Sequence, residues 1–405
     1  MNVAIIGGGA SGLVCAIEAA RKGHQVSVFE KNTKLGRKIL ATGNGKCNIS
    51  NLHLNPMRYH GESPQFVTSI LKRFDAFTCK AYFRILGLEM REGEEGRLYP
   101  MSHQASSVVD ILVHEGRSLG VQFLCEREVS LIACKDAQFA LHVKEEEYLF
   151  DACVIATGSL AMPSLGSSGS GYAFAKAFGH SVIEPYPSLV QLLSDEAHLS
   201  LASGVKVDAG VELFVSARSS MHVQGDVLFT NYGISGSAIL DISRKASHAL
   251  KEGEAVFVVL DLMPHFDKNA LEALLQKRLA YAGDKSLALW LEGIIPKKLA
   301  LFVIHTCKLE HIKNASMLNT KEIKKLLFTL KALRLHVKGT KGFESAEVSA
   351  GGIDVRELDE KSLMSKKVKH LYFCGEVLDI DGDCGGFNLH FAWGSGFCVG
   401  QGLKD

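Results

Sequence analysis

The chain has 405 residues, enough for two or three domains and a large core. Forty-five basic and 44 acidic residues leave a formal charge of +1, which gives no electrostatic argument for nucleic acid or an anionic membrane as partner. Thirty-nine glycines against eight prolines fit many close backbone turns and little disordered linker, and no uncharged apolar stretch is long enough to span a bilayer.

The first thirty residues carry the densest signal. Asn2 to Ile6 reads as a short buried parallel strand, Leu13 to Lys22 as a helix ended by Gly23, and Gln25 to Phe29 as a second strand stopping at Glu30. Between strand and helix lies Gly7-Gly8-Gly9-Ala10-Ser11-Gly12, the G-x-G-x-x-G turn of a dinucleotide-binding βαβ unit. Gly7 permits the tight turn, Gly9 lets a pyrophosphate approach the backbone, and Gly12 lets helix and strand pack closely. The helix N-terminus, with Ala10 and Ser11, offers unpaired N–H groups to the phosphates, and Glu30 is placed to accept from adenosine ribose hydroxyls.

Lys31, Gly36, Arg37 and Lys38 follow, then Thr42-Gly43-Asn44-Gly45-Lys46-Cys47-Asn48. That second run is too rich in Gly and Asn for a core element and reads as a loop set against a flat polar ligand. Arg37 and Lys38 suit a diphosphate; the alternative is a solvated basic loop. Helical spacing covers Pro64 to Leu86 and Ala105 to Leu119. Alternating apolar runs from Val121 to Phe150 predict an antiparallel meander turning at Lys135-Asp136, with Val129 meeting adenine through its backbone.

Asp151 to Gly158 predicts a buried strand ending in the small residues Ala156, Thr157 and Gly158, where a second segment approaches the cofactor. The run Gly166 to Gly171 has two readings, a nicotinamide phosphate site or a structural helix N-terminus, and the second is favoured because no strand precedes it. Near Pro185-Tyr186-Pro187 the chain leaves the nucleotide domain. Val205 to Val215, Val223 to Phe229 and Val256 to Leu260 read as strands of an inserted β domain, with a helix to about Leu250 between them. Asn269 to about Leu330 is mostly helical, broken at Gly283, Gly293 and Pro296. Lys321, Lys324, Lys325, Lys331, Arg334, Lys338 and Lys341 give it a basic stripe, read as a solvated helix face rather than an RNA site.

The return strand His370 to Cys374 ends in Gly375-Glu376, and a last helix from about Leu389 to Gly400 is entered through Gly385-Gly386-Phe387-Asn388. Glu376 is suited to a polyol hydroxyl, and the helix N-terminus puts positive potential beside a ring that becomes anionic on reduction. Asp379, Asp381 and Asp383 resemble the start of a calcium loop but lack its downstream glutamate, so no metal is expected. Ten cysteines are scattered without a C-x-x-C pair, a reduced-compartment pattern. Since the N-terminus enters a strand at once, a cytoplasmic protein is expected. Cys47 and Cys384 are read as bystanders.

The glycine fingerprint with Glu30, the Thr157 strand end and the Gly375-Glu376 strand end resemble the FAD-binding set of the glutathione-reductase-type flavoproteins. LGRKILATGNGKCNISN, with GRLYP, FTNYGISG, SAGGI and GGFNLHFAWGSGF, is similar, end to end, to the bacterial BaiN-like, aminoacetone-oxidase-like family of FAD flavoproteins. The resemblance implies an α/β fold: a Rossmann-like FAD domain (1–187 and 345–405) interrupted by a β-barrel-like domain (188–265 and 332–344) and a helical lid (266–331). It implies FAD, with NAD(P)H as a possible transient donor, binding through the loop and strand-end residues above together with Asp381, Gly386, Phe387, Asn388 and Leu389. The implied activity is hydride transfer between flavin and a small organic substrate. That is either amine or aminoketone oxidation or reduction of a conjugated ketone, with RNA modification and a non-catalytic binding role as alternatives. Tyr232 and His390 are the candidate proton donors, His390 also reading as a polar residue bonded at a helix start. The chain departs from the family at Glu376, where Asp is common, at Asn231 and Ser237, where His and Pro are expected, and at His390, where Gln is usual.

Overall fold

The computed structural model describes residues 1–404 and divides into two compact units, Met1–Pro185 with Glu347–Asp405, and Tyr186–Ala346. The first is built on a five-stranded parallel sheet. Strand Asn2–Ile6 lies at its centre, flanked by Gln25–Phe29 on one side and Ala152–Ile155 on the other. Leu371–Phe373 pairs outside Ala152–Ile155, so the chain returns to complete the sheet from its far end. These strands are nearly continuous apolar runs because both faces are covered; Val3, Ala4, Ile5, Val28, Val154 and Phe373 have no exposed surface.

The segment from Val121 to Phe150, expected to form a single antiparallel meander, splits instead. Gln122–Leu124 pairs parallel with Gln25–Phe29 as the sheet edge, and only Leu131–Lys135, Gln138–Val143 and Glu146–Phe150 form the antiparallel meander. The left-handed pair Asp136 and Ala137 makes its first turn, which fits the right-handed twist of a two-residue hairpin. The helix expected over 64–86 is likewise broken, into Val67–Arg73 and Ala76–Ile85, because the Asp75 carboxylate accepts from the Thr78 amide and caps a new start.

The first helix (Ala10–Arg21) and the last (Phe387–Gly402) pack on each other through glycine. A side chain on Gly396 would meet the Ser11 carbonyl oxygen at 2.3 Å, and one on Gly400 the Glu18 Cβ at 2.5 Å. The contact therefore joins the two ends of the sequence backbone to backbone.

The second unit holds seven strands in which every pair is antiparallel. Its edge strands, Leu333–Val337 and Gly339–Thr340, are one residue apart in sequence, so the sheet has to curl until its ends approach, a barrel-like closure. Helices Lys268–Leu279, Leu287–Glu292, Lys297–Thr306 and Thr320–Lys331 share one hydrophobic core with this sheet, centred on Trp290, Phe302 and Phe229. In the first unit, the segment leaving and the segment returning run side by side: Gly351 lies against the Glu184–Pro185 backbone, where a side chain would meet the Glu184 carbonyl at 2.8 Å. Among the described residues no helix is long and apolar enough to cross a membrane.

Replacing Gly396 with valine forces a branched side chain into the Ser11 carbonyl. It is expected to cost about 3 kcal/mol or more, read as a lower urea midpoint at unchanged m.

Candidate functional site

The turn after the first strand is shaped by what it touches. Gly7 has φ +111°, and a side chain there would meet the Ala156 carbonyl at 2.3 Å; one on Gly12 would meet the Gly7 carbonyl at 2.0 Å. Gly9, by contrast, faces open space, with nothing within 4 Å of where its side chain would start. Gly9 also caps the first helix without a side-chain hydrogen bond, so the amides of Ala10, Ser11 and Gly12 carry the positive end of the helix towards that opening.

Glu30 is buried at the end of the second strand. One carboxylate oxygen accepts from the Gly8 amide at 2.9 Å, and the other from the Asn32 amide and Asn32 Nδ2 at 2.8 and 2.6 Å. A carboxylate has about four acceptor sites, so it fixes the turn and keeps capacity for another donor. Arg37 donates to Asn32 Oδ1 at 2.7 Å and to the Ser164 carbonyl at 3.0 Å. Lys31, Arg37 and Val129 line a cleft of about 840 Å³ together with Asn32, Ser170 and Phe174. The Gly166 to Gly171 run borders this same cleft through Ser170, with Gly166 packing on Asn32.

The opposite end of the site is assembled from distant segments. Ser11 Oγ donates to the Cys374 carbonyl at 3.3 Å, and Gly375, at φ +79°, leaves room for that hydroxyl. Lys38 pairs with Glu376 at 2.7 Å, and the other Glu376 oxygen accepts from the Ser349 amide at 3.0 Å. Gly386, at φ +100°, caps the last helix without a side-chain bond and lies against Asn48 Oδ1. Gly43 and Asn44 are exposed in left-handed conformation, and Thr42 Oγ1 donates to the Ile39 carbonyl. Thr157 Oγ1 lies where a side chain on Gly171 would fall, 2.2 Å from it, with Ala156 and Gly158 on either side of it in the strand-end turn.

Several of the expected site residues have surroundings that bear on their roles. His390 is wholly buried, its Nδ1 bonded to Ser50 Oγ and its Nε2 to the Phe74 carbonyl, each at 2.8 Å. Burial lowers its imidazole to about 4: it is a neutral structural group, not a proton donor to a ligand. Asn388 spends its amide on the Gly382 backbone, accepting and donating at 2.7 Å, so it closes the preceding loop instead of reaching outward. Phe387 and Asp381 are each only 1% exposed, which leaves little of either residue open to a ligand. Leu389 is partly buried against the core around Trp393 and Phe83. Tyr232 belongs to the second unit, where the Lys341 ammonium sits 4.3 Å from its ring centroid. Cys47 is buried, which pushes its thiol up to about 12 and leaves it unreactive at neutral pH.

Three buried polar atoms here lack a partner: Asn48 Oδ1, Tyr172 Oη and Ser349 Oγ. Such atoms are costly unless a ligand satisfies them. Tyr172 and Asn32 escaped the sequence reading; the glycine run just before Tyr172 was the available signal. Among the described residues no group of three or more His, Cys, Asp or Glu is placed to hold a metal.

An amide-lined turn with open space at Gly9, an acid at the second strand end, a cleft beyond it and orphaned polar atoms along the far side fit an extended dinucleotide and define an FAD-binding flavoprotein of the Rossmann type. The chain belongs to the HI0933-like family: the HI0933-like protein Rossmann domain matches residues 1–402. It is 35% identical to the 3-dehydro-bile acid delta(4,6)-reductase of Clostridium scindens, over 100% of this chain and 99% of that one. It is 34% identical to the ribosomal RNA dihydrouridine synthase of Escherichia coli, over 98% and 97%, and 33% identical to that of Haemophilus influenzae, over 97% and 96%. The chain is an FAD-dependent oxidoreductase.

The buried His390 sets a pH dependence. The unfolded chain takes up this proton as pH falls through about 6.5 while the folded chain refuses it until about 4. Stability is therefore lost as pH drops across that window, by up to about 3 kcal/mol. Urea melts at pH 7 and pH 4.5 should differ less in a His390→Gln variant than in the native chain.

Proposed function

We propose that the chain reduces a carbon–carbon double bond conjugated to a carbonyl group. The observation that carries this reading is chemical. Two full-length relatives with unlike substrates have names that describe one reaction class. A delta(4,6)-reductase of a 3-dehydro acid saturates double bonds in conjugation with a ketone. A dihydrouridine synthase saturates the uracil C5–C6 bond, conjugated to the C4 carbonyl.

Once reduced by NAD(P)H, bound FAD would supply the hydride for the β-carbon of such an acceptor. The chain's own residues hold and orient it. The Gly7 to Gly12 turn and the amides of Ala10, Ser11 and Gly12 meet the diphosphate, Glu30 the adenosine ribose, and Lys31, Arg37 and Val129 the adenosine end. Thr42 to Asn44, Ala156 to Gly158, Gly375, Glu376 and Lys38 serve the ribityl and ring end. The uncapped N-terminus of the last helix at Gly386 lends positive potential to charge that accumulates on reduction. The α-carbon still needs a proton. With His390 sealed in the core, that proton has to come from another donor.

The test is anaerobic stopped-flow on the purified holoenzyme. NADH or NADPH should bleach the flavin, and a cyclic enone or a uridine-containing RNA should restore the colour without oxygen. Bleaching by an aminoketone alone, with peroxide formed on admitting air, would overturn the reading in favour of an oxidase. Glu30→Ala should weaken FAD retention by about 10- to 100-fold, from loss of hydrogen bonds to a charged acceptor, measured by flavin fluorescence on reconstitution.

A further inference from the structure

The formal charge of +1 conceals an uneven distribution. Between residues 266 and 331 there are twelve Lys and Arg against six Asp and Glu. Helix Thr320–Lys331 shows how they are used. Ile323, Leu326, Leu327 and Leu330 are buried, and the opposite face consists of Lys321, Lys324, Lys325 and Phe328, all exposed. Both sets run i, i+3, i+4, i+7, so the helix is cleanly two-sided.

The exposed side is poorly suited to stabilising the helix. Lys321 sits in the first turn, where the dipole favours an acid, and Lys321 and Lys325 are like charges one turn apart. The helix start is already secured by a capping box between Asn319 and Glu322. Glu322 in turn is paired with Lys313 at 2.6 Å and so does not neutralise the face. Lys331, by contrast, leaves the stripe: it pairs with Asp261 at 2.6 Å. Arg334 leaves it too, lying on a strand with its guanidinium 3.9 Å from the Phe257 ring centroid. Lys321, Lys324 and Lys325 form no ion pair among the described residues. In their midst Phe328 is 64% exposed, an aromatic ring that gains little by burial where it stands. The Cys307 thiol donates to Thr329 Oγ1 at 3.2 Å. That contact ties the end of helix Lys297–Thr306, and with it the exposed Lys308, to the same helix.

We propose that this face binds an unpaired stretch of RNA, phosphates on Lys308, Lys321, Lys324 and Lys325 and a base stacked on Phe328. Unpaired cations alone would suit any polyanion. A flat ring presented among them suits a base whose face is free, the arrangement used for single strands. The choice of RNA rests on the reading above, since uracil carries a carbonyl-conjugated double bond and RNA carries uracil.

The test is fluorescence anisotropy of the oxidised holoenzyme with a labelled RNA hairpin bearing a uridine-rich loop, across a salt series. Alanine replacing Lys321, Lys324 and Lys325 together should raise Kd at least tenfold and flatten the log–log salt slope by about two to three. Phe328→Ala should raise Kd about tenfold with the slope unchanged. Flavin absorbance and circular dichroism report that both variants are folded. Native affinity in both variants, equal binding of a fully paired RNA duplex, or preference for phosphatidylglycerol vesicles over RNA would each overturn the proposal. Because binding is read without turnover, enone reduction without RNA binding sinks this inference alone, and RNA binding without reduction sinks only the proposed reaction.

Discussion

The close approach of the first and last helices is the constraint on which the flavin site depends. Gly396 and Gly400 let the C-terminal helix lie directly on the backbone at Ser11 and beside Glu18. Glycine in a helix interior costs about 1 kcal/mol each relative to alanine, so the contact is made at the expense of local helix stability. What it secures is position. With the helices in register, Ser395 Oγ accepts from the Gly375 amide and Ser11 Oγ donates to the Cys374 carbonyl. The dinucleotide turn and the returning strand end are then held as one piece, though more than 360 residues separate Ser11 from Cys374 along the chain.

A second set of buried polar contacts fixes the loop that follows. Trp393 Nε1 donates to the Ile49 carbonyl, His390 meets Ser50 and Phe74, and the Tyr59 hydroxyl donates to the Phe387 carbonyl. The start of the last helix is thereby fastened to segment 49–59, and Gly386 is held against Asn48. His390 works as a neutral two-sided link. Its two ring nitrogens satisfy one hydroxyl and one carbonyl, which suits a group that must stay uncharged in a dry core.

Local features of the fold were legible in the sequence. The βαβ unit, the Gly375 strand end and the breaks at Gly283, Gly293 and Pro296 depend on neighbours only a few residues away. Strands of an inserted β segment were readable from their alternation, its barrel-like form being only what the resemblance implied, and the FAD assignment followed from motifs with fixed mechanical roles. What stayed hidden depended on distant partners. Nothing near His390 announces that Phe74 and Ser50 will enclose it. Asn388 looked available until Gly382 folded back on it. The basic stripe read as uniform because sequence alone cannot show that Asp261 takes Lys331 while three lysines around Phe328 remain unclaimed.

The side-by-side exit and return at Glu184–Pro185 and Gly351 has a bearing on how such a chain diversifies. Two strands that enter and leave at one spot make the intervening segment a graft on a finished scaffold. Length and surface chemistry of the graft can drift, or be exchanged wholesale, while the scaffold's hydrogen-bonding register is untouched. A lineage built this way can inherit one redox cofactor cradle and acquire new clients by remodelling a single contiguous stretch of gene.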